Sequence, residues 1–439
     1  MAKIRLSHIA ALVSILFLVF VVYKNQHIWQ GGDYEPRVES SGITLPINML
    51  ITNSMNDLEQ TKTFDREVEN FMRRWDITGA SFALMRNDSL IYAKGYGYAD
   101  LDNDITCEVN NVFRIASVSK LITATAIMKL VEQKKLSLSA KVFGERGILN
   151  DSIFLNINDR RLSNITVEHL LRHTAGFSSP IGDPAFNNEG VARVLKKQLP
   201  LSDDDMILYA TRNRLRSNPG SSYNYSNLGY IVLGKVIEKV VHLPYVDYVQ
   251  DSVLFPAGCY DIHMGQSFSR DKRLNEVNYY EVKEAEKVEA SDGSDSTMRS
   301  DGGNNITLLG AAGGWVASPV ELLRFVASIN GDNIKRDILS LQSIKTMTYD
   351  SKRLKPIGWA SVRGEEWTRT GSMAGTSAII KQQKNGYTWA FVANKSSWVG
   401  YNFNNYVSTQ ITRSLAKVKS WPARDMFIVS DTLTFSSLK

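Results

Sequence analysis

The chain has 439 residues, of which 43% are hydrophobic and 10% aromatic. A chain of this length can bury a sizeable core, either in one large two-lobed domain or in two or three ordinary domains. The net charge of +6 is a weak bias that is not gathered into long basic runs. The sequence therefore gives no indication of nucleic-acid binding.

The first 25 residues differ in composition from the rest of the chain. Lys3 and Arg5 precede an apolar run over residues 9–23, which is typical of an export signal or a membrane anchor. Bulky residues follow this run, which favours an uncleaved signal-anchor over a cleaved signal peptide. An uncleaved anchor would hold the remaining chain at the membrane by its N-terminal segment, facing the periplasm or another extracytoplasmic side. A cleaved signal peptide would leave the remaining chain exported. Residues 26–60 are polar and mixed, and we expect them to form a tether.

Cys107 and Cys259 are the only cysteines in the sequence. In an exported protein they could form a disulfide, but the sequence does not show whether they meet, so this pairing stays open. Neither cysteine has the neighbours of a zinc site. Because the sequence also lacks a phosphate-binding loop and a dinucleotide fingerprint, we predict no metal and no cofactor.

Residues 61–420 are predicted to form one folded domain. Near its start, residues 80–100 have the alternation of two strands joined by the turn residues Asn87 and Asp88. Residues 118–133 then place apolar side chains at helical spacing, which predicts a helix with a buried face.

Helical patterns continue from about residue 140 to 265, and the polar segment 281–305 is expected to be an exposed loop or lid. Strands return in the C-terminal part, with a turn at Asn385 and Gly386. We therefore predict an α/β (α+β) fold, in which N- and C-terminal segments build an antiparallel sheet flanked by helices and a helical lobe is inserted between them. Residues 421–439 are expected to be a tail.

Ser117 and Lys120 stand three residues apart where the apolar helix of residues 118–133 begins. This spacing is nearly one helical turn, so the two side chains share a face. A serine hydroxyl is a poor nucleophile until a base removes its proton, and a lysine can be that base only where burial or positive charge lowers its pKa. The pair indicates nucleophilic catalysis, although a helix-capping serine beside a surface lysine fits this stretch equally well.

The same Ser-x-x-Lys spacing occurs at two other places, Ser269/Lys272 and Ser414/Lys417. The first lies in a charged stretch and is interpreted as solvated surface. The second ends an amphipathic helix, where a lysine favours the negative end of the helix dipole. Only Ser117 heads a helix with a buried character.

Tyr225 and Asn227 begin another apolar helix, after a Pro-Gly turn. A tyrosine hydroxyl can relay a proton and an asparagine amide can hold a substrate carbonyl, whereas the simpler alternative is a helix start with Asn227 as a local cap. A competing frame, Ser222-Tyr223-Asn224, fits a Ser-x-Asn pattern. The apolar helix follows Tyr225 directly, which favours the first frame.

Arg369, Thr370, Gly371 and Ser372 lie on a predicted strand. A strand edge of small residues lets a substrate backbone approach and offers a main-chain N–H to a developing oxyanion. A glycine-containing strand that leads into a turn is the simpler interpretation of the same residues.

Taken in this order, the three motifs resemble the serine β-lactamase and penicillin-binding protein family. They are most similar to its class C-like branch, which includes D-alanyl-D-alanine carboxypeptidases and β-lactamase-fold esterases. The resemblance runs from about residue 64 to 415. The surrounding phrases "VFRIASVSK", "TVEHLLRHTAGF", "YSNLGYIVLG" and "AAGGWVASPVELLRF" also look like that branch. Any one motif is weak evidence, but all three in order, with matching surroundings, are specific.

The resemblance implies a role for each residue of the motifs. Ser117 attacks a carbonyl and becomes acylated, Lys120 takes its proton or holds the network that does, and Tyr225 passes a proton to the leaving group. Asn227 contacts the substrate acyl amide, and the backbone N–H groups of Ser117 and Ser372 form the oxyanion hole. Whether lysine or tyrosine is the base stays open.

Arg369 stands where the third motif of the family often has lysine or histidine. Arginine keeps the positive charge, so it can lower the pKa of Tyr225 or Lys120 and bind a carboxylate, but it cannot give up a proton. This departure weakens the case for proton-relay mechanisms and for β-lactamase turnover, and leaves acylation intact. His173 is interpreted as a residue that fixes a loop, since lysine and tyrosine already fill the proton-transfer roles.

The resemblance thus implies a serine hydrolase that forms a covalent acyl-enzyme with an amide or ester, such as a D-Ala-D-Ala-type peptide, a β-lactam or a small ester. The expected partner is a small-molecule or peptide substrate, and the oligomeric state stays open. The alternative is a membrane-tethered penicillin-binding-type receptor or a non-hydrolysing binding protein. The short stub before the apolar run argues against signalling, and the intact Ser, Lys and Tyr argue against an inactive scaffold.

Overall fold

The computed structural model describes residues 45–178, 180–332, 334–352 and 354–428. Its central element is an antiparallel seven-stranded sheet. The strands of this sheet are, in spatial order, β3 (Ile105–Thr106), β2 (Ser89–Asp100), β1 (Gly79–Arg86), β12 (Tyr387–Ala393), β11 (Thr376–Gln382), β10 (Glu366–Met373) and β9 (Ser361–Arg363). A small sheet contains β4 (Phe113–Arg114), β8 (Trp315–Ala317) and β5 (His263–Met264), and a further pair is β6 (Val288–Glu289) with β7 (Ser296–Thr297).

The helices are divided between one face of the sheet and the lobe inserted between β3 and β9. They are α1 (Lys62–Trp75), α2 (Ser119–Glu132), α3 (Val167–Leu171), α4 (Asn188–Leu195), α5 (Asp203–Arg212), α6 (Asn227–Val241), α7 (Tyr245–Val249), α8 (Ile306–Gly313), α9 (Pro319–Ala327), α10 (Leu341–Thr348) and α11 (Phe403–Leu415). Aromatic and aliphatic side chains of α1 and α11 pack on the outer face of the sheet. The larger core lies between the inner face and the lobe.

The predicted fold class is confirmed, because β1 from the N-terminal part pairs antiparallel with β12 from the C-terminal part. The predicted turn between β1 and β2 is also present. Asn87 and Asp88 both adopt positive φ, at 47° and 59°, which is the backbone geometry that a two-residue hairpin turn requires.

Helix α2 is buried on nearly every side rather than on one face. Of its residues, only Lys129, Val131 and Glu132 are not fully buried. Burial on all sides is typical of a helix in the centre of a large domain, and it places the first turn of α2 in a dry environment beside the sheet.

The folded unit extends beyond the limits predicted from the sequence. Residues 45–60, assigned above to the tether, form three short 3-10 turns, and Ile47 and Ile51 belong to the main core. Met426 and Phe427, assigned to the tail, are buried as well. The physical reason is that removing apolar side chains from water is favourable, and both segments contain short apolar runs that can cover the domain.

Other predictions for the ends and loops have mixed outcomes. The predicted anchor at residues 1–25 lies outside the described residues, and no helix within the described ranges is long and apolar enough to cross a bilayer. The polar segment 281–305 is partly packed, since it contains β6 and β7, and the Ser300 carbonyl accepts a hydrogen bond from buried Arg114. Cys107 and Cys259 are both buried and free, so the open question of a disulfide is answered in the negative.

Candidate active site

Ser117 lies in a 3-10 turn, Ala116–Val118, that runs directly into α2. Ala116 adopts a φ of +47°, a left-handed conformation that costs about 1–3 kcal/mol for a residue with a side chain. The turn is tied to β8 by a hydrogen bond of 3.0 Å from the Ile115 N–H to the Trp315 carbonyl. Such strain persists only where the surroundings fix the backbone, and here it presents Ser117 at the end of a buried helix.

Lys120 is fully buried one turn further along α2. Its ammonium nitrogen lies 3.2 Å from Ser117 Oγ, 2.6 Å from Asn227 Oδ1 and 2.5 Å from the Ala312 carbonyl oxygen. Burial lowers the pKa of Lys120, and the nearby guanidinium of Arg369 lowers this pKa further. A lysine with a depressed pKa can lose its charge near neutral pH and act as a base.

The Tyr225 hydroxyl lies 2.6 Å from Ser117 Oγ. Burial of the hydroxyl opposes ionisation, but the positive charges of Lys120 and Arg369 outweigh it, and the pKa of Tyr225 is lowered below its ordinary value. Tyr225 is 41% exposed, so the residue reaches solvent while its hydroxyl contacts the nucleophile. Ser117 therefore contacts two groups, each with a pKa shifted toward the range useful for proton transfer.

Asn227 opens α6, whose first turn is capped by the Ser226 hydroxyl. Both ends of the Asn227 amide are occupied. Its Oδ1 accepts from Lys120, and its Nδ2 donates to a carboxylate oxygen of Asp183 at 2.6 Å. These two bonds fix the orientation of the amide, because a flipped amide would place like groups against each other.

Strand β10 lies beside the nucleophile turn. The Arg369 Nε donates to the Ser117 carbonyl at 2.7 Å, which joins the strand to the turn. A methyl group added at Gly371 would lie 2.3 Å from the Ile115 carbonyl oxygen and 2.9 Å from the Ser117 nitrogen. Only glycine allows the strand to approach this closely.

The C-terminal half of β10 has a free edge. Strand β9 pairs only with residues 366–368, so within the described ranges residues 369–373 pair with one strand alone, β11. Met373 pairs with Thr376 across a two-residue turn. The alternation of an antiparallel ladder then directs the Ser372 N–H toward the free edge. Thr370 and Ser372 are half-buried along it.

His173 contacts Tyr225 and its chain neighbours on the side of the tyrosine ring. Its backbone carbonyl accepts from the Asn224 N–H at 2.7 Å, and its Nδ1 accepts from the Ser226 N–H at 3.2 Å. Its ring packs on the Tyr225 ring with centroids 4.4 Å apart. Burial and the charges of Lys120 and Arg369 hold the pKa of His173 well below its usual range, so the ring is neutral and can accept. The loop-fixing interpretation agrees with these contacts.

The structure brings together the residues of all three sequence motifs. Ser117, Lys120, Tyr225 and Asn227 form one hydrogen-bonded network, and Arg369, Thr370, Gly371 and Ser372 lie on the adjoining strand. The catalytic roles assigned to them stay predictions.

The alternatives considered for these motifs lie elsewhere. In the competing Ser-x-Asn motif, Ser222-Tyr223-Asn224, Asn224 Nδ2 donates to the Phe177 carbonyl and Ser222 Oγ donates to Ser217. In the other Ser-x-x-Lys pairs, Lys272 bonds to Asn278 and to the Val277 carbonyl, and Lys417 bonds to Glu67. None of these contacts reaches Ser117.

Two members of the network were not found from the sequence. The Ala312 carbonyl has no side-chain signal at all. Asp183 precedes a proline, which indicates a turn or a helix start and says nothing about a partner. In the structure Asp183 does cap a short 3-10 turn, with its Oδ1 accepting from the Ala185 N–H. In the described part of the chain, no group of three or more His, Cys, Asp or Glu side chains is placed to hold a metal ion.

Comparison with known proteins adds an independent finding. The family model described as Beta-lactamase matches residues 64–410. Protein flp of Staphylococcus aureus (strain N315) is 30% identical over 206 residues, which are 47% of this chain and 38% of that protein. The putative penicillin-binding protein PbpX of Bacillus subtilis (strain 168) is 29% identical over 202 residues, 46% of this chain and 45% of that protein. The matched region thus spans less than half the length of these relatives.

Among solved structures, the D-amino acid amidase of Ochrobactrum anthropi SV3 is similar in fold. It superimposes with a TM-score of 0.64 at 19% identity, over 83% of this chain and 100% of the amidase. These similarities support hydrolase chemistry of the acyl-enzyme type in general terms. Since the family match covers most of the chain, the protein belongs to the beta-lactamase family, which has the fold of serine β-lactamases and penicillin-binding proteins.

Proposed function

We propose that this protein is a serine hydrolase that forms a covalent acyl-enzyme at Ser117. The proposed substrates are amides or esters, of the D-Ala-D-Ala peptide, β-lactam or small-ester type. The observation that carries the proposal is the double contact of Ser117 Oγ, at 2.6 Å from the Tyr225 hydroxyl and 3.2 Å from Lys120 Nζ. A nucleophile within hydrogen-bond reach of an activated base is the geometry that acyl transfer needs.

In the proposed acylation step, the Ser117 Oγ–H gives its proton to neutral Lys120, directly or through the Tyr225 oxygen. The oxygen attacks the substrate carbonyl carbon, and the carbonyl π electrons move onto oxygen. The Ser117 and Ser372 N–H groups stabilise that oxyanion, which is worth about 10²–10³ in rate for each donor. The bond to the leaving group then breaks, and the leaving group takes the proton from the Tyr225 side of the network.

Deacylation in this proposal reverses the same steps with water. Water gives a proton to the network, its oxygen attacks the acyl carbon, and Ser117 Oγ leaves and regains a proton. Arg369 keeps its charge throughout. Its proposed contribution is to hold the turn through the Ser117 carbonyl and to lower the pKa values of Lys120 and Tyr225.

Intact-mass measurement and peptide mapping test the nucleophile. The protein is treated with a fluorophosphonate and, separately, with penicillin, and hydrolysis of a chromogenic ester is followed in parallel. We expect one adduct per chain, located at Ser117, and loss of both labelling and turnover in Ser117→Ala. Ser269→Ala is the matched control, because Ser269 has the same Ser-x-x-Lys spacing but is exposed and remote from the network.

The reagents that react with Ser117 decide between the possible classes of function and substrate. Fluorophosphonate labelling with ester turnover supports the hydrolase, and reaction with penicillin adds β-lactam-like amides to the substrate class. A stable Ser117 adduct without any turnover would replace the hydrolase by a penicillin-binding receptor. An adduct at another residue would refute the proposal.

A further inference from the structure

Asn404 is a buried asparagine that lies outside the three sequence motifs. It is the second residue of α11 and is only 3% exposed. Its Nδ2 donates to the Gly371 carbonyl oxygen at 3.0 Å, across 33 residues of chain. A reversed amide would set two oxygens against each other, so this bond fixes which end of the amide faces the strand.

The carbonyl that Asn404 holds belongs to the peptide unit of the proposed oxyanion donor. Gly371 supplies the C=O of this unit, and Ser372 supplies its N–H. A trans peptide unit is planar, and its C=O and N–H point in opposite directions. A group that fixes the C=O on one side of the strand therefore also fixes the direction of the Ser372 N–H on the other side.

Strand β10 is held between two elements at this peptide unit. On the inner face of the sheet, Gly371 lies so close to the nucleophile turn that an added methyl group would meet the Ile115 carbonyl oxygen at 2.3 Å. Helix α11 packs on the outer face, where Phe403 is fully buried and stacks on Phe71 with ring centroids 5.6 Å apart. The start of α11 is thus anchored in the outer core and can give the strand a fixed support.

A purely structural role explains the burial of Asn404 less well. Gly371 pairs with Ala378 of β11, so the alternation of the ladder already gives the Gly371 carbonyl a partner. Asn404 Oδ1 is buried and has no donor among the described residues. Because a buried acceptor without a donor offsets the gain from one hydrogen bond, we expect Asn404 to contribute little to the free energy of unfolding.

We propose that Asn404 is a positioning residue for the oxyanion hole, which holds the peptide unit of Gly371 and Ser372 so that the Ser372 N–H is directed at the substrate oxyanion. This inference rests on the proposed acylation of Ser117 and deepens it. The bond from Asn404 also polarises the peptide unit, because consecutive hydrogen bonds strengthen one another. Asn404 itself does not touch the substrate and acts through the backbone of β10.

Asn404→Leu removes the donor and keeps a side chain of similar size. Complete loss of an oxyanion donor costs about 10²–10³ in rate; here the N–H remains but is less well directed, so we expect a fall of about tenfold in the fluorophosphonate labelling rate and in kcat for a chromogenic ester. KM should stay within about twofold, because the oxyanion forms only as the reaction proceeds. Asn404→Ala carries the same expectation and serves if leucine does not fit.

Asn394→Leu is the matched control. Asn394 is fully buried, its Nδ2 donates to the Tyr98 carbonyl at 3.0 Å, and its Oδ1 also lacks a donor among the described residues. The same kind of bond is thus made to β2, which three strands separate from β10 in the sheet. The labelling rate of Ser117 should stay within about twofold of the parent rate, even if the unfolding midpoint falls.

Inhibition by phenylboronic acid gives a readout that a structural role would not change. The serine oxygen adds to boron, its proton passes to the network, and one hydroxyl of the tetrahedral adduct takes the place of the oxyanion. The inhibition constant should rise in Asn404→Leu by about the same factor as labelling falls, since both depend on the same donor. It should not change in Asn394→Leu.

The outcomes separate this inference from the proposed function. Slower labelling and a higher inhibition constant, confined to the Asn404 variants, would support it. Labelling within about threefold of the parent rate in both Asn404 variants would overturn it and leave acylation of Ser117 untouched. An equal fall in Asn394→Leu, or slower labelling with an unchanged inhibition constant, would overturn it too. Absence of any Ser117 adduct in the parent protein would instead overturn the proposed function on which the inference rests.

Discussion

The close approach of β10 to the nucleophile turn makes Gly371→Ala an informative substitution. The new methyl group would meet the Ile115 carbonyl oxygen at 2.3 Å and the Ser117 nitrogen at 2.9 Å. Both atoms belong to the backbone, so neither can swing aside like a side chain. Real Cβ contacts essentially never lie under 3.0 Å. The gap to the carbonyl oxygen must therefore widen from 2.3 Å to at least 3.0 Å.

This displacement is expected to act on catalysis more strongly than on stability. It moves the Ser372 N–H away from the oxygen of the substrate carbonyl group whose carbon Ser117 attacks. A misplacement near 1 Å costs about 10²-fold in rate, and complete loss of one oxyanion donor costs about 10²–10³-fold. We expect the rate of fluorophosphonate labelling and ester turnover to fall about 100-fold, while overpacking lowers the free energy of unfolding by about 1–3 kcal/mol.

The assay is the second-order labelling rate of Ser117, read by intact mass, beside the unfolding midpoint of the same preparation. Gly229→Ala is the control, because a methyl group there meets Leu170 and Ser226 only at 3.7–3.8 Å, which is ordinary contact. Labelling of Gly371→Ala within about threefold of the parent rate would refute the idea that this strand edge supplies an oxyanion donor.

Three other predictions concern the groups around the site. Because burial and Arg369 lower the pKa of Lys120, kcat/KM for a neutral ester should rise with pH and level off below the ordinary pKa of lysine. Arg369→Gln should shift the rising part of this pH profile of kcat/KM to higher pH. An unchanged pH profile would contradict this prediction. His173→Asn should retain more activity than His173→Ala, since His173 has a φ of 57° and asparagine both tolerates a positive φ and offers an acceptor; equal rates would show that the Ser226 contact is dispensable. Burial raises the pKa of the Cys107 thiol to about 12 and also raises that of Cys259, so a thiol reagent should find no reactive group in the folded protein and two after unfolding. Fewer than two after unfolding would contradict the free-thiol assignment.

The parts of the fold and site that the sequence predicted correctly depend on short-range relations. The Asn87-Asp88 turn needs two residues that tolerate positive φ between two alternating strands. The contact between Ser117 and Lys120 needs one helical turn. In such cases all the participants lie within a few residues, so the spacing itself carries the information.

The parts that were missed depend on contacts across loops. Asp183 and Asn227 are separated by 44 residues, and no periodicity links them. Ile47 and Ile51 belong to a short apolar run, residues 45–51, that was predicted to be part of the tether, although both are buried. Their burial is decided by a surface that distant segments build together, and a local pattern does not encode that surface.

The pairing of β1 with β12 has a consequence for biosynthesis. Ala80 lies opposite Ala393, so the first long strand to leave the ribosome waits for its neighbour until nearly the whole domain has been translated. The inserted lobe, whose helices find their partners at shorter sequence distances, can gain order earlier in synthesis. Until β12 emerges, one edge of β1 stays open to foreign strands, and we expect newly made chains to aggregate most readily when translation stops short of that point.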